Sequence, residues 1–377
     1  MLPKNPGQWE RIDHFLMSFS PEEKIAIIHD ADPDGLCSAV LMNRLITRLR
    51  GKPAHAHFVP PRGIKNTVAP EVFKELKKKG ITKAIFTDLG VHEDAATIRK
   101  LEKQCELLII DHHTFFHDVT STRTVLAMPQ LLADDIEPSR YSSTKLAYDL
   151  ANRHADFSDA DWIAAIGVIS DMTGEAWQEF LMHVFSRHNL KPNPKEWFAT
   201  DIGRISGMFH AAMSINEKKI GTCFDALMRA TQPSDVLKNK KLATLKSSFD
   251  REIVAWIAKM PKLAEKNEAR KVLWYEISPK YHINSPVSTI LSLKYPDWVV
   301  LIVEKDKGIA RISARCQSQR VHVNELMKAT TKGLKNAGGG GHKPAAGAHV
   351  RNADLATLKQ RIFAMLSKNL YMSDENQ

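Results

Sequence analysis

The chain has 377 residues, 43% of them hydrophobic and 25% charged, with a formal net charge of +10. The length allows about two to three domains of ordinary size, and the composition is that of an ordinary globular protein. A membrane-spanning helix is not expected, because no apolar run approaches the roughly 18–20 residues needed to cross a bilayer. Residues 1–6 lack the apolar core of a secretory signal, so a cytoplasmic protein is expected. The four cysteines, Cys37, Cys105, Cys223 and Cys316, lie too far apart for a CxxC pair or a dense disulfide framework, and reduced thiols are expected.

In chain order, residues 25–28 form an apolar run with the pattern of a buried strand, followed by a helical run over 36–50. Residues 55–59 are a second strand candidate. A helix is predicted over 70–79, with Gly80 placed to stop it and Lys77, Lys78 and Lys79 as its basic end. Residues 84–86 predict a third strand, 93–105 a helix, and 107–110 a fourth strand. This alternation predicts a parallel sheet with helices on both faces. Residues 141–188 read as helices, and 195–268 as helices of weaker periodicity. A second α/β segment begins near Arg270, with strands over 272–277, 298–304 and 309–314, a glycine-rich stretch over 337–350 and a final helix over 355–366.

The expected architecture is therefore α/β and two-lobed: an N-terminal parallel sheet flanked by helices, a helical connector and a smaller C-terminal α/β domain. The expected boundaries are 1–190, 191–268 and 269–377. Residues 1–190 carry 22 Lys/Arg against 26 Asp/Glu, a balance of 22 − 26 = −4, whereas 191–377 carry 31 against 17, or 31 − 17 = +14. A basic half suits a polyanionic partner such as nucleic acid. Lys238, Lys240 and Lys241 read equally as a backbone-tracking cluster or a solvated helix face.

Three of the apolar runs lead into acidic clusters. Residues 25–28 run into His29, Asp30, Asp32, Asp34 and Gly35; 84–86 run through Thr87 into Asp88; and 107–110 run into Asp111, His112 and His113. A lone Asp88 would read as a turn or cap residue. Three such clusters, two containing histidine, read instead as one assembly, since functional groups of open α/β sheets collect at the carboxyl ends of strands. Close carboxylates repel and need compensating cations. Mixed carboxylate and imidazole ligands favour Mn²⁺, Fe²⁺ or Zn²⁺ over Ca²⁺, and their number suits two ions.

Four segments in this order resemble the motifs of DHH phosphoesterases: His29-Asp30-Ala31-Asp32-Pro33-Asp34-Gly35, Thr87-Asp88-Leu89-Gly90, Asp111-His112-His113, and Gly167-Val168-Ile169-Ser170-Asp171. Ala337-Gly338-Gly339-Gly340-Gly341-His342-Lys343-Pro344-Ala345-Ala346-Gly347 is similar to the glycine-rich motif of the DHH-associated C-terminal domain. The resemblance covers residues 24–350 except the connector. It implies that His29, Asp32 and Asp88 bind a first metal, and that Asp34, Asp88, His112 and Asp171 bind a second, with Asp88 bridging. Asp30 is the alternative to His29 in the first motif. Asp111 would orient a neighbouring histidine or join the ligands, and His113 would touch the substrate phosphate.

In the C-terminal part, the resemblance implies that Arg315, His342 and the backbone amides of Gly338, Gly339, Gly340 and Gly341 bind substrate. Arg62 and Lys65 could also reach it, although exposed surface charge is the plainer reading. No serine near the motifs, Ser38 included, has the surroundings of an activated nucleophile.

The implied cofactors are two divalent ions, Mn²⁺ first and Mg²⁺ as the alternative, which together activate a hydroxide. The implied activity is that of a RecJ- or NrnA-like single-strand exonuclease or short-oligonucleotide hydrolase. Alternatives are a cyclic dinucleotide or pAp phosphohydrolase and a non-catalytic replication scaffold of the same fold. Expected partners are single-stranded nucleic acid, replication or repair proteins, or a second copy in a homodimer, and no membrane.

Overall fold

The computed structural model describes residues 5–61, 66–115 and 117–367. Arg62 and Lys65 lie outside the described residues. The chain divides into two compact units, Met1–Lys246 and Ser247–Gln377. Among the described residues no helix is long and apolar enough to cross a membrane.

The first unit contains, in order, α1 (Pro6–Met17), β1 (Ile25–His29), α2 (Pro33–Arg50), β2 (Ala56–Phe58), α3 (Pro70–Lys79), β3 (Lys83–Thr87), α4 (Ala95–Leu101), β4 (Glu106–Ile110), β5 (Thr124–Ala127), α5 (Pro129–Leu132), α6 (Ser143–His154), α7 (Asp161–Ser170), α8 (Gln178–Arg187), α9 (Asp201–Ile215), α10 (Ile220–Arg229) and α11 (Pro233–Leu237). α12 (Lys240–Leu263) begins in this unit and ends in the next. The sheet is parallel throughout, in the order β2-β1-β3-β4-β5. Successive strand residues alternate between its faces. Ile25, Ile27, Ile85, Leu108 and Ile110 join a core with residues of α2, α6, α7 and α9. Ala26, Ile28, Ala84, Phe86, Leu107 and Ile109 face the other way, onto Val72 and Leu76 of α3 and Ile98 and Leu101 of α4. Burial on both faces explains why these strands read as continuous apolar runs.

The four strands expected from the first half are present. β5 is an additional strand at the sheet edge, and α4 is shorter than the expected 93–105. α1 covers the β5 edge. Gln8 Nε2 donates to the Leu126 carbonyl at 2.5 Å, and the Arg11 guanidinium donates to the carbonyls of Ser121 and Thr124. Helices α9 and α10 bury Ile202, Ile205, Phe209, Phe224 and Leu227 in the sheet's own core, as α12 does with Leu242. The segment 191–268, expected as a connector, therefore divides between the two units.

The second unit contains β6 (Glu265–Asn267), β7 (Val272–Ile277), α13 (Asn284–Lys294), β8 (Val299–Asp306), β9 (Ile309–Arg315), α14 (Val323–Thr331), β10 (Gly338–His342), β11 (Ala345–Arg351) and α15 (Leu355–Ser367). Its mixed sheet has the order β10-β11-β9-β8-β7-β6, with only β7 and β8 parallel. Val272, Trp274, Leu301 and Ile312 pack against Leu326 and Met327 of α14 and Leu358 and Ile362 of α15. The glycine run is an edge strand, with Gly338 opposite His349 and His342 opposite Ala345. A side chain on Gly339 would place its Cβ 2.7 Å from the Met327 carbonyl oxygen, so glycine is what lets α14 lie this close to β10.

Candidate metal centre

The strand order reverses between β1 and β3, and an open α/β sheet forms a crevice at the carboxyl ends of strands where its order reverses. Asp30 and Asp32 follow β1, Asp88 follows β3, and Asp111, His112 and His113 follow β4, so all three clusters reach this edge. Asp32 is the N-cap of α2, its Oδ1 accepting the Gly35 amide at 2.8 Å. Asp34 is buried in the first turn of that helix. Asp88 is buried in a left-handed backbone conformation with φ of 63°. Asp171 ends α7 as its C-cap.

Potential ligand atoms form three groups, each within 4.8 Å: Asp30, Asp32 and Asp88; Asp88, His112 and His113; and Asp34, His112 and Asp171. Asp88 and His112 are each shared by two groups. His112 Nε2 lies 3.4 Å from Asp88 Oδ1, and its Nδ1 lies 3.7 Å from Asp171 Oδ2. Both His112 Nδ1 and Asp171 Oδ2 are buried without a hydrogen-bond partner. Unpaired buried polar atoms are costly, and a cation between these two would satisfy both. The donor set of carboxylates and imidazoles fits one or more divalent ions on this ground.

His29 joins none of these groups among the described residues. Its Nδ1–H donates to the Asp30 carbonyl at 2.8 Å, which leaves Nε2 with a free lone pair, and Nε2 is buried without a partner. Burial pushes the His29 pKa down to about 4, which keeps the ring neutral. A neutral imidazole with its other nitrogen held by a carbonyl has the form of a metal-binding histidine, so both His29 and Asp30 remain available as ligands.

The electrostatics show what the cluster lacks. Burial, then the nearby Asp32 and Asp34 carboxylates, push the Asp88 pKa well above the usual range. Burial and Asp34 push Asp171 up to about 8. Without cations, part of this cluster therefore holds protons at neutral pH. Asp111 behaves oppositely. Burial pushes its carboxyl up, but the hydrogen bond and charge of His113 more than offset it and hold the pKa below the usual range. Asp111 Oδ1 accepts His113 Nδ1–H at 2.6 Å and the His113 amide at 3.0 Å, and its Oδ2 accepts the amides of Leu89 at 3.1 Å and Gly90 at 2.5 Å. The same bond raises the His113 pKa to about 9. The His113 side chain is 39% exposed, enough for its ring to meet a ligand.

Several contributing residues carried no clear signal in the sequence. His92 is fully buried, donates Nε2–H to the Thr114 carbonyl at 3.1 Å, and places Nδ1 4.0 Å from Asp111 Oδ2. Gln130 donates to the His113 carbonyl at 2.9 Å. Ser143 and Thr144 contact Asp34 and Asp88. The sole local clue was the Ser-Ser-Thr run at the start of α6, with Ser142 as its N-cap, which reads as an ordinary helix start.

In the second unit, Arg315 is half-buried at the end of β9. Its Nε donates to Ser288 Oγ at 3.0 Å and its Nη2 to Ser285 Oγ at 3.4 Å, both on α13. Burial lowers its pKa, although a guanidinium stays charged. Gly338, Gly339, Gly340 and Gly341 lie along β10, and His342, at its end, is exposed.

Residues 24–169 match the model of the DHH family, N-terminal domain, and residues 282–368 match that of the DHHA1 domain. A curated relative, the single-stranded-DNA-specific exonuclease RecJ of Bacillus subtilis, is 24% identical over 394 positions, covering 98% of this chain and 49% of the relative. The chain thus spans about half the length of that protein. Its fold is similar to that of an exonuclease RecJ bound to manganese (TM-score 0.70, 19% identity, 97% of this chain and 95% of that one). It is also similar to RecJ from Thermus thermophilus in complex with Mn²⁺ (TM-score 0.70, 19% identity, 98% and 56%) and to CDC45 from Entamoeba histolytica (TM-score 0.58, 12% identity, 96% and 99%). The chain belongs to the DHH family of phosphoesterases and carries a DHHA1 domain on its C-terminal side.

Proposed function

We propose that the protein is a metal-dependent phosphodiesterase that hydrolyses single-stranded nucleic acid or short oligonucleotides. The observation that carries this reading is the pair of ligand groups joined through His112, with unpartnered buried atoms at His112 Nδ1 and Asp171 Oδ2. Asp32 with His29 or Asp30, and Asp34 with His112 and Asp171, would hold two ions, with Asp88 common to both. Bound divalent ions would supply Lewis acidity and lower the pKa of water at the scissile phosphate. Mn²⁺ is the expected ion, in keeping with the imidazoles in the donor set.

The remaining work falls to side chains. The hydrogen bond from its ring to Asp111 pushes the His113 pKa up to about 9, which favours the imidazolium. Its Nδ1–H is committed to Asp111, so Nε2–H is the donor left for a phosphoryl oxygen, where negative charge grows in the transition state. Asp111 would hold that ring in place and stay ionised while doing so. The excess of basic residues after residue 190 suits a polyanionic substrate, as does Arg315, whose planar fork matches a phosphate. The likeness to RecJ favours single strands over small nucleotides.

The test is incubation with Mn²⁺, and separately with Mg²⁺, of single-stranded RNA and DNA oligonucleotides labelled at either end. Stepwise loss of nucleotides is expected, and comparing the labels gives polarity. Activity only on cyclic dinucleotides or pAp would change the substrate class. Inactivity on all of these would overturn the catalytic reading in favour of a scaffold.

A further inference from the structure

The first turn of α6 touches two of the carboxylates at once. Asp34 Oδ2 accepts the Ser143 amide at 2.9 Å and Oδ1 accepts the Thr144 amide at 3.0 Å. Thr144 Oγ1 donates to the Asp34 carbonyl at 2.7 Å, and Ser143 Oγ donates to Asp88 Oδ1 at 3.1 Å. Ser143 and Thr144 are fully buried. Amides in a helix's first turn have no partner within the helix and carry the positive end of its dipole. Here two of them are aimed at one carboxylate from a different helix. Each Asp34 oxygen gives one acceptor direction to an amide, which fixes the rotation of the carboxylate and leaves each oxygen a second lone pair.

This turn is itself held firmly. A Cβ built on Gly167 of α7 would lie 2.3 Å from Thr144 Cβ, so α6 and α7 cross at a distance that admits no side chain at that position. α7 is also the helix that ends in Asp171. One residue after Thr144, Lys145 is 5% exposed, and its ammonium bonds both Asp149 oxygens at 2.6 and 2.7 Å. The same ammonium lies 4.1 Å from the Trp177 ring centre and 4.9 Å from that of Phe180, with Tyr141 and Tyr148 at 5.8 and 5.7 Å. The Asp149 pair lies within α6, whereas Trp177 and Phe180 meet the cation from outside it and hold the start of the helix against them.

We propose that Ser143 and Thr144 are positioning residues of the metal centre. The first turn of α6 orients Asp34 through its amides and ties it to Asp88 through the Ser143 hydroxyl, while Lys145 anchors the turn. The inference rests on the reading of Asp34 and Asp88 as ligands. Groups that orient ligands in this way are worth about 10–100-fold in metal affinity. A helix start that only satisfied its own polar groups would affect the stability of the metal-free protein and leave metal affinity alone.

Ser143→Ala keeps both amides to Asp34 and deletes only the hydroxyl bond to Asp88. Mn²⁺ is titrated calorimetrically into metal-free protein, and the bound ions are followed by electron paramagnetic resonance. The expected result is a rise of about tenfold or more in the Kd of at least one ion, with loss of the exchange-coupled signal of paired ions. Ser143→Thr should restore both. If Ser143→Ala does not fold, Ser143→Cys keeps the volume and offers only a weak donor, and the same rise in Kd is expected. An unchanged Kd with an unchanged coupled signal would overturn the positioning role. Failure of the wild-type protein to bind Mn²⁺ would instead overturn the metal-centre reading beneath it.

Discussion

Replacing Gly35 by alanine tests how closely the start of α2 must approach the end of β1. A Cβ at this position would lie 2.8 Å from the backbone nitrogen and oxygen of Asp30 and 3.0 Å from its Cα. Ordinary van der Waals contact begins near 3.4 Å, so the two segments must separate by 3.4 − 2.8 = 0.6 Å. The atoms met are main chain, which cannot rotate away as a side chain could. Asp32 and Asp34 sit on the helix side of this contact and Asp30 on the strand side. The displacement therefore falls between members of one ligand group, whereas metal–ligand distances tolerate only about 0.2 Å. Overpacking of this kind costs about 1–3 kcal/mol, which for a unit of this size lowers Tm by about 2–12 °C. Calorimetric titration of Mn²⁺ and a thermal melt of the metal-free protein measure the two effects separately. The expected outcome is a loss of affinity of about tenfold or more together with a lower Tm. A variant with wild-type Tm and wild-type Mn²⁺ affinity would refute the argument from close approach.

Asp88→Ala and His112→Ala each remove a residue shared by two ligand groups. Hydrolysis by each should fall by more than about a hundredfold while circular dichroism stays that of a folded protein; full activity in either would remove that residue from the centre. Arg315→Ala should raise KM by about 10–100-fold at unchanged kcat, since a charged hydrogen bond is worth about 1.5–3 kcal/mol. A selective fall in kcat would assign Arg315 to the chemical step.

Much of the first unit was legible because β1, β3 and β4 are buried on both faces. Runs such as Ile25-Ala26-Ile27-Ile28 need no alternation to be recognised, and each of these three is followed within two residues by an aspartate. β5 escaped because its four residues follow a polar stretch and carry no such ending. β10 escaped for a different reason. Glycine has little tendency to form strands, and pairing with β11 at the sheet edge, rather than local preference, makes Gly338, Gly339, Gly340 and Gly341 extended. At the site, the ordered motifs identified the acidic and imidazole groups but not their supports. The Ser143 amide meets an Asp34 oxygen across 109 positions of chain, a contact with no periodic trace. The choice between His29 and Asp30 depends on which way a ring nitrogen and a carboxylate turn, which spacing does not encode.

The N-terminal helix has a consequence for how the chain comes into being. Gln8 finds the carbonyl of Leu126 across 118 positions, and Arg11 finds Ser121 across 110. At about 5–20 residues per second of synthesis, α1 is made roughly 6–24 s before the strand it bonds. Throughout that interval its apolar side, with Trp9, Ile12, Phe15 and Leu16, has no β5 to pack beside. Once β5 is made, its open edge can pair with any other strand until α1 arrives. The order of synthesis thus separates α1 from the edge it closes, and until α1 docks there β5 is open to pairing with a neighbouring chain.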